Sequence, residues 1–183
     1  RSSIGNVSIS YSGAVADLNT KPLTAIAIKG LLTPLMENVN MVNAPIIARE
    51  RDIEISEVRK QSSEQYQTLI SLSVTTERQT RTVTGTLFGG SLPRLVEVNG
   101  IRLEAEVGRH MLYIINDDKP GFIGTLGSTL GDAGVNIASF HLGRPNEGGD
   151  AIALLQLDQE IEGSLLEKVR ALPQVYQAQT LIF

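Results

Sequence analysis

The period of the apolar residues changes at about residue 108, and this change constrains the fold more than any other feature of the sequence. Residues 110–183 follow the order strand, helix, strand, strand, helix, strand, because period two is typical of strands and steps of three and four are typical of helices. That order indicates a ferredoxin-like βαββαβ fold. The sequence therefore predicts an α+β protein of two small domains, an α/β meander domain over residues 1–107 and a ferredoxin-like domain over residues 108–183.

Helix and turn signals give the second domain its expected elements. A helix begins after Pro120 and ends at Gly134, since glycine favours the left-handed conformation that stops helices. We expect one face of this helix to hold Phe122, Ile123, Leu126, Thr129, Leu130 and Ala133. The predicted strands are 110–115, 135–142, 151–157 and 175–183, and a second helix is predicted over 164–170.

The first domain is predicted to begin with a strand over 7–11 and a helix that starts after Thr20, tolerates Pro22 in its first turn and ends near Pro34. A second helix follows over 44–51. The five segments after it alternate with period two, and we expect them to form an antiparallel meander: 53–58, 69–74, 82–87, 94–98 and 101–105. The dipeptide Asn99-Gly100 between the last two is a strong hairpin signal.

Composition excludes several classes of function. The net charge of −4 argues against nucleic-acid binding, which clustered Lys and Arg side chains drive. The mean hydropathy of +0.02, and the absence of any apolar run of about 20 residues, argue against a membrane span. With no cysteine and two histidines, we expect no disulfide and no metal site, and a cytoplasmic location. The start Arg1–Gly5 resembles an internal cut more than a signal peptide, so we expect a piece of a longer protein.

Catalytic motifs are missing from the sequence. Ser139, His141 and Asp118 can be combined into a hydrolytic set on paper, but no nucleophile elbow accompanies them, and coincidence explains them better. The series Gly121-x-x-Gly124-x-x-Gly127 falls inside the predicted helix, where helix packing explains it better than phosphate binding. We therefore expect no catalytic residue and no enzyme activity in this chain.

The loop 116–121 before the first helix of the second domain is the clearest candidate site. The N-terminus of a helix offers free amide groups to a carboxylate, Asp118 can neutralise an ammonium group, and Asn136 can bridge the two. Such a set suits the head group of an amino acid. The alternative is that Asp118 caps the helix and Asn136 only adopts a turn conformation.

A second candidate is a set of cations that could bind a phosphate or carboxylate: Lys29, Arg81, Arg94 and Arg102. The alternative, which we favour, is that these side chains are solvated, with Arg102 facing Glu97 across a strand pair.

Two resemblances cover nearly the whole chain. The segments 116–124 and 134–137 resemble an ACT domain. The segments 29–32, 39–51, 84–89 and 98–100 resemble the intervening, "allosteric substrate binding" domain that precedes the ACT domain in long-form D-3-phosphoglycerate dehydrogenases. The resemblance implies the regulatory part of an NAD-dependent enzyme of L-serine synthesis, with NAD and the catalytic groups in domains outside this chain and no cofactor within it.

The resemblance also implies feedback inhibition by L-serine or another small amino acid, bound where ACT domains pair in a homodimer or tetramer. The implied effector-binding residues are Asn116, Asp118, Pro120, Gly121, Asn136 and Ile137. The sequence departs from the family pattern at Glu106 and Gln156, where some members are basic. Two alternatives remain: an oligomerisation module without an effector, and a regulatory module of another amino-acid enzyme such as an iron–sulfur serine dehydratase.

Overall fold

The computed structural model describes residues 3–63, 65–161 and 163–183, and it divides the chain into two units, Arg1–Ser91 and Leu92–Phe183. Both units combine helices with a sheet, which confirms the predicted α+β class. The predicted division at 107/108 assigns the segment from Leu92 onward to the first domain instead, and it stays a prediction. No helix in the described ranges is long and apolar enough to cross a membrane.

The first unit contains four β-strands and two α-helices. Its elements are β1 (Ile4–Gly13), a short 3-10 helix (Ala14–Asp17), α1 (Lys21–Leu32), α2 (Ala44–Glu50), β2 (Glu54–Lys60), β3 (Thr68–Thr76) and β4 (Thr80–Phe88). The strand order within this unit is β2-β1-β3-β4. As predicted, Pro22 lies in the first turn of α1, where its missing N–H costs nothing.

The expected antiparallel meander is wrong at its first step. β2 pairs in parallel with β1, and β1 in turn pairs antiparallel with β3, so β2 and β3 are not neighbours. The reason is that α1 and α2 form a crossover between β1 and β2, which is the connection that parallel strands require. The period of a strand reveals its faces but not its partner.

A polar network joins α1 to β2 inside this unit. The buried Tyr11 hydroxyl lies 2.7 Å from Thr24 Oγ1, and Thr24 in turn donates to Glu57. Thr20 also donates to Glu57, over 2.9 Å. Burial raises the pKa of Tyr11, so its phenol stays a neutral hydrogen-bond donor. The network gives the polar groups buried between helix and sheet the partners they need.

The second unit has the predicted βαββαβ order, preceded by a hairpin. Its elements are β5 (Leu92–Val98), β6 (Ile101–Glu106), β7 (His110–Asp117), α3 (Phe122–Asp132), β8 (Ile137–Gly143), β9 (Asp150–Leu157), α4 (Gly163–Arg170) and β10 (Val175–Ile182). The order β10-β7-β9-β8, with antiparallel neighbours throughout, is ferredoxin-like. Asn99 and Gly100 both have positive φ, as the predicted tight turn between β5 and β6 requires.

Both faces of this sheet are covered within the unit. Leu112, Ile114 and Leu155 lie on the face that packs against Leu126 and Leu130 of α3. Successive residues of a strand point to opposite faces, so Met111 and Leu154 lie on the other one. There they pack against Leu103 and Ala105 of β6. The β5–β6 hairpin is therefore part of the core of this unit.

Candidate functional site

The junction of β7 and α3 forms the centre of the candidate site. Gly121 is the N-cap of α3 and has a φ of 96°, a left-handed conformation that favours glycine. Among the described residues no side chain caps this helix, so the alternative role of Asp118 as its cap is wrong. The first turn of α3 therefore presents amide groups that no side chain occupies.

Asp118 instead holds the loop between β8 and β9. Its Oδ2 accepts a hydrogen bond from Arg144 Nη1 over 2.8 Å and a longer one from the Gly148 amide over 3.4 Å. Its own amide donates to the Gly149 carbonyl over 2.9 Å. The hydrogen bond from Arg144 is the main reason that the pKa of Asp118 lies below its usual value. The carboxylate is thus charged, and it is 15% exposed.

A cleft of about 660 Å³ opens beside this ion pair. Its lining combines four charged residues with the backbone of the α3 N-terminus and a few apolar side chains: Asp118, Lys119, Pro120, Gly121, Phe122, Ile123, Gly124, Leu142, Arg144, Glu147 and Gly148. The structure thus brings together three of the predicted effector residues, Asp118, Pro120 and Gly121. Ile123 was expected on the packed face of α3, but it is 55% exposed and lines the cleft.

Sequence analysis missed Arg144. It lies in a glycine-rich turn, 26 residues from its partner Asp118, and no local spacing connects the two. The antiparallel pairing of β7 with β9 and of β9 with β8 brings the ends of these strands to one edge of the sheet. Only a correct prediction of the strand order could have placed Arg144 next to Asp118.

The surroundings of two glycines in α3 differ from the expectation that helix packing explains this glycine series. Within the part of the chain that the structure describes, and apart from the backbone of α3 itself, no atom lies within 4 Å of the place where a Cβ would stand on Gly124 or Gly127. Close helix packing within this chain therefore does not explain them.

Asn116 is fully buried at the end of β7 and does not line the cleft. Its Nδ2 donates to the Asp117 carbonyl over 3.1 Å. Within the described ranges, its Oδ1 is buried without a hydrogen-bond partner. Such an oxygen is costly to bury, so Asn116 holds an unused acceptor next to the candidate site.

Asn136 and Ile137 lie beyond the opposite end of α3. This helix has 11 residues, a length of about 16 Å at 1.5 Å per residue. Asn136 is exposed, and its Nδ2 donates to Asp158 Oδ2 over 2.7 Å. One copy of the chain therefore does not place Asn136 against the same ligand as Asp118. The positive φ after α3 belongs to Gly134, so a turn conformation does not account for Asn136.

The predicted cation set is divided between the two units. Lys29 is exposed on α1 and Arg81 is exposed on β4, whereas Arg94 and Arg102 lie on the β5–β6 hairpin. Arg94 Nη2 donates to Glu106 Oε1 over 2.7 Å, and the register places Arg102 opposite Glu97. Two of the four cations thus have acidic neighbours on their own hairpin, and binding of an anion by this set stays a prediction.

The remaining polar groups show no catalytic arrangement. The Ser139 hydroxyl is buried without a hydrogen-bond partner among the described residues, so His141 does not activate it. Within the same ranges, no three His, Asp or Glu side chains are grouped as metal ligands. The Gln156 side chain packs over Gly108, where any Cβ would clash with it.

Comparison with known proteins gives matches along almost the full length. Residues 1–99 match the family described as "D-3-phosphoglycerate dehydrogenase intervening domain", and residues 110–174 match the ACT domain family. Three relatives carry the name D-3-phosphoglycerate dehydrogenase. The Bacillus subtilis protein is 36% identical over 94% of this chain, the Methanocaldococcus jannaschii protein 34% over 94%, and the Synechocystis protein 35% over 97%. The chain spans about a third of the length of these relatives.

Proposed function

Because the chain belongs to the family of D-3-phosphoglycerate dehydrogenase intervening domains and continues into an ACT domain, we propose that it is the regulatory region of an NAD-dependent D-3-phosphoglycerate dehydrogenase. In this proposal L-serine, the end product, binds the ACT domain and inhibits the enzyme. NAD and the catalytic groups belong to other domains of the parent protein. In this proposal the described residues bind the effector and transmit its effect to the catalytic domains, and they carry out no chemical step.

The single observation that supports serine binding most directly is the charged Asp118 carboxylate beside the open N-terminus of α3. An ammonium group binds favourably next to a carboxylate, and a carboxylate group binds favourably at a helix N-terminus. The cleft thus offers both halves of an amino-acid head group. A metabolite sensor needs only about −8 to −4 kcal/mol of binding free energy, which a few such contacts supply.

A second copy of the chain completes the proposed site. Asn136 lies at the far end of α3 from Asp118, so it contacts the same ligand only when it comes from a neighbouring ACT domain. The outer strands β8 and β10 each have a free edge in this sheet, and such edges favour pairing with another sheet. Serine bound between two copies then stabilises one arrangement of subunits, with a coupling free energy of about 1–3 kcal/mol.

Isothermal titration of L-serine into the 183-residue chain tests this proposal. We expect a micromolar to millimolar dissociation constant, and we expect Asp118→Ala and Asn136→Ala each to weaken binding at least tenfold. Thr125→Ala, on an exposed position of α3, is the matched control and keeps wild-type affinity. Sedimentation with and without serine shows whether binding depends on a second copy.

The alternatives give different results in the same experiment. A chain that associates but takes up no amino acid is an oligomerisation module without an effector. Tight binding that survives both Asp118→Ala and Asn136→Ala would place the effector elsewhere.

A further inference from the structure

In the ion pair of the cleft, Asp118 Oδ1 and Arg144 Nη2 have no strong partner among the described residues. Both hydrogen bonds that Asp118 accepts fall on Oδ2, and among the described residues Oδ1 accepts none. Arg144 bonds Asp118 through Nη1 alone, while its Nη2 lies 4.0 Å from Glu147 Oε1. The Glu147 side chain is 92% exposed, so water screens this second contact strongly.

We propose that Arg144, together with the N-terminus of α3, binds the carboxylate of the effector, and that the effector bridges the Asp118–Arg144 ion pair with its ammonium group on Asp118 Oδ1 and its carboxylate on the Nη2 side of Arg144. This inference rests on the proposed function and adds a specificity residue to it. The ion pair does not have to break for the ligand to bind. The ligand therefore gains two charged contacts and displaces only the weak one to Glu147.

The chemistry of the two groups fits an α-amino acid. One carbon separates the ammonium and carboxylate groups of such a ligand, and the carboxylate of Asp118 and the guanidinium of Arg144 are held side by side by their 2.8 Å hydrogen bond. A guanidinium group is planar, and its N–H donors match the two oxygens of a carboxylate. The remaining lining includes the apolar side chains of Leu142 and Ile123.

Lys119 is the other cation of the cleft, and the structure favours Arg144 over it. Lys119 Nζ lies 2.6 Å from Asp117 Oδ2, so its charge already has a close partner, and its side chain is 65% exposed. The hydrogen bond to Asp117 also raises the pKa of Lys119. Lys119→Met is therefore the matched control for Arg144→Met.

The test compares L-serine with L-serinamide, which keeps the ammonium group but lacks the carboxylate. Both are titrated calorimetrically into the wild-type chain, Arg144→Met and Lys119→Met. We expect the wild type to prefer L-serine. Arg144→Met should lower the affinity for L-serine at least about tenfold, because the charged contact between the ligand carboxylate and Arg144 is lost. The affinity for L-serinamide should stay equal or rise, because this ligand has no carboxylate to make that contact. Lys119→Met should keep both affinities within about twofold.

Circular dichroism checks whether Arg144→Met folds. If it does not, Arg144→Lys serves in its place, because a lysine can still form an ion pair with Asp118. The lysine retains one charge without the planar group, so its preference for L-serine should fall between those of wild type and Arg144→Met. An unchanged preference for L-serine in both Arg144 variants, or a loss that appears in Lys119→Met instead, overturns the role of Arg144 and leaves the proposed function intact. A wild-type chain that binds no amino acid refutes the proposed function and this inference with it.

Discussion

Asp118 links the loop before α3 to the loop between β8 and β9. Its carboxylate and its own amide group together make three hydrogen bonds to residues 144–149. The residue therefore stabilises the loop between β8 and β9 even before any ligand binds. For this reason a loss of binding in an Asp118 variant is interpretable only together with Asn136→Ala, which leaves the loop intact.

The stability contributed by Asp118 should depend on pH. Its pKa is lowered in the folded protein, chiefly by the hydrogen bond from Arg144, so the charged form stabilises the fold at pH values above the unfolded pKa of about 4. That contribution disappears as the pH falls through the lower, folded pKa. We expect Asp118→Asn to unfold at a lower temperature than wild type at pH 7, and the difference to shrink at pH 3. A difference in melting temperature that is the same at both pH values would contradict this prediction.

Part of the site was predictable from residues that are neighbours in the sequence, and the rest depends on how the strands pair. Asp118, Pro120 and Gly121 follow one another in a loop before a helix, so their grouping depends only on neighbouring residues. Arg144 is brought to Asp118 by strand pairing, which a single sequence does not encode in any local spacing. The buried position of Asn116 is likewise set by tertiary structure, and its neighbours in the sequence do not reveal it.

Individual helices and turns were predictable where the residues that begin or end them lie close together in the sequence. The proline in the first turn of α1, the glycine after α3 and the Asn99-Gly100 turn all act within a few residues, and each lies where it was expected. The parallel pairing of β2 with β1 was missed, because it depends on how the two helices between them pack. Which strands become neighbours is decided by tertiary contacts, and period-two alternation is the same in both arrangements.

Two glycine-to-alanine changes should have opposite effects on stability. Gly127 is helical and has open space where a Cβ would stand, so Gly127→Ala should stabilise the protein by about 0.5–1 kcal/mol through higher helix propensity. Gly100 has a φ of 81° in the β5–β6 turn, so Gly100→Ala should destabilise it by about 1–2 kcal/mol. Urea unfolding of both variants measures the two effects. A loss of stability in Gly127→Ala would show that another surface, such as a second copy, packs against that face of α3.

At the scale of the whole molecule, internal contacts and sequence similarity divide the chain at different places. Contacts divide the chain between Ser91 and Leu92, whereas the two family matches leave residues 100–109 between them. The difference concerns the β5–β6 hairpin. By sequence similarity β5 belongs with the intervening domain and β6 lies between the two matches, whereas by contacts both strands belong to the second unit.

Two truncated chains distinguish these boundaries. In the chain 92–183 the hairpin still covers Met111 and Leu154, which are 2% and 1% exposed, whereas the chain 108–183 lacks that cover. Burial of one such side chain stabilises a fold by about 1.5–3 kcal/mol, so loss of cover over both should cost up to about 3–6 kcal/mol. Because small domains have only about 5–15 kcal/mol of stability, we expect 92–183 to unfold cooperatively in urea and 108–183 to be marginal and to bind a hydrophobic dye. Equal stability of the two chains would show that the sheet does not need the hairpin, and it would support the boundary at 107/108.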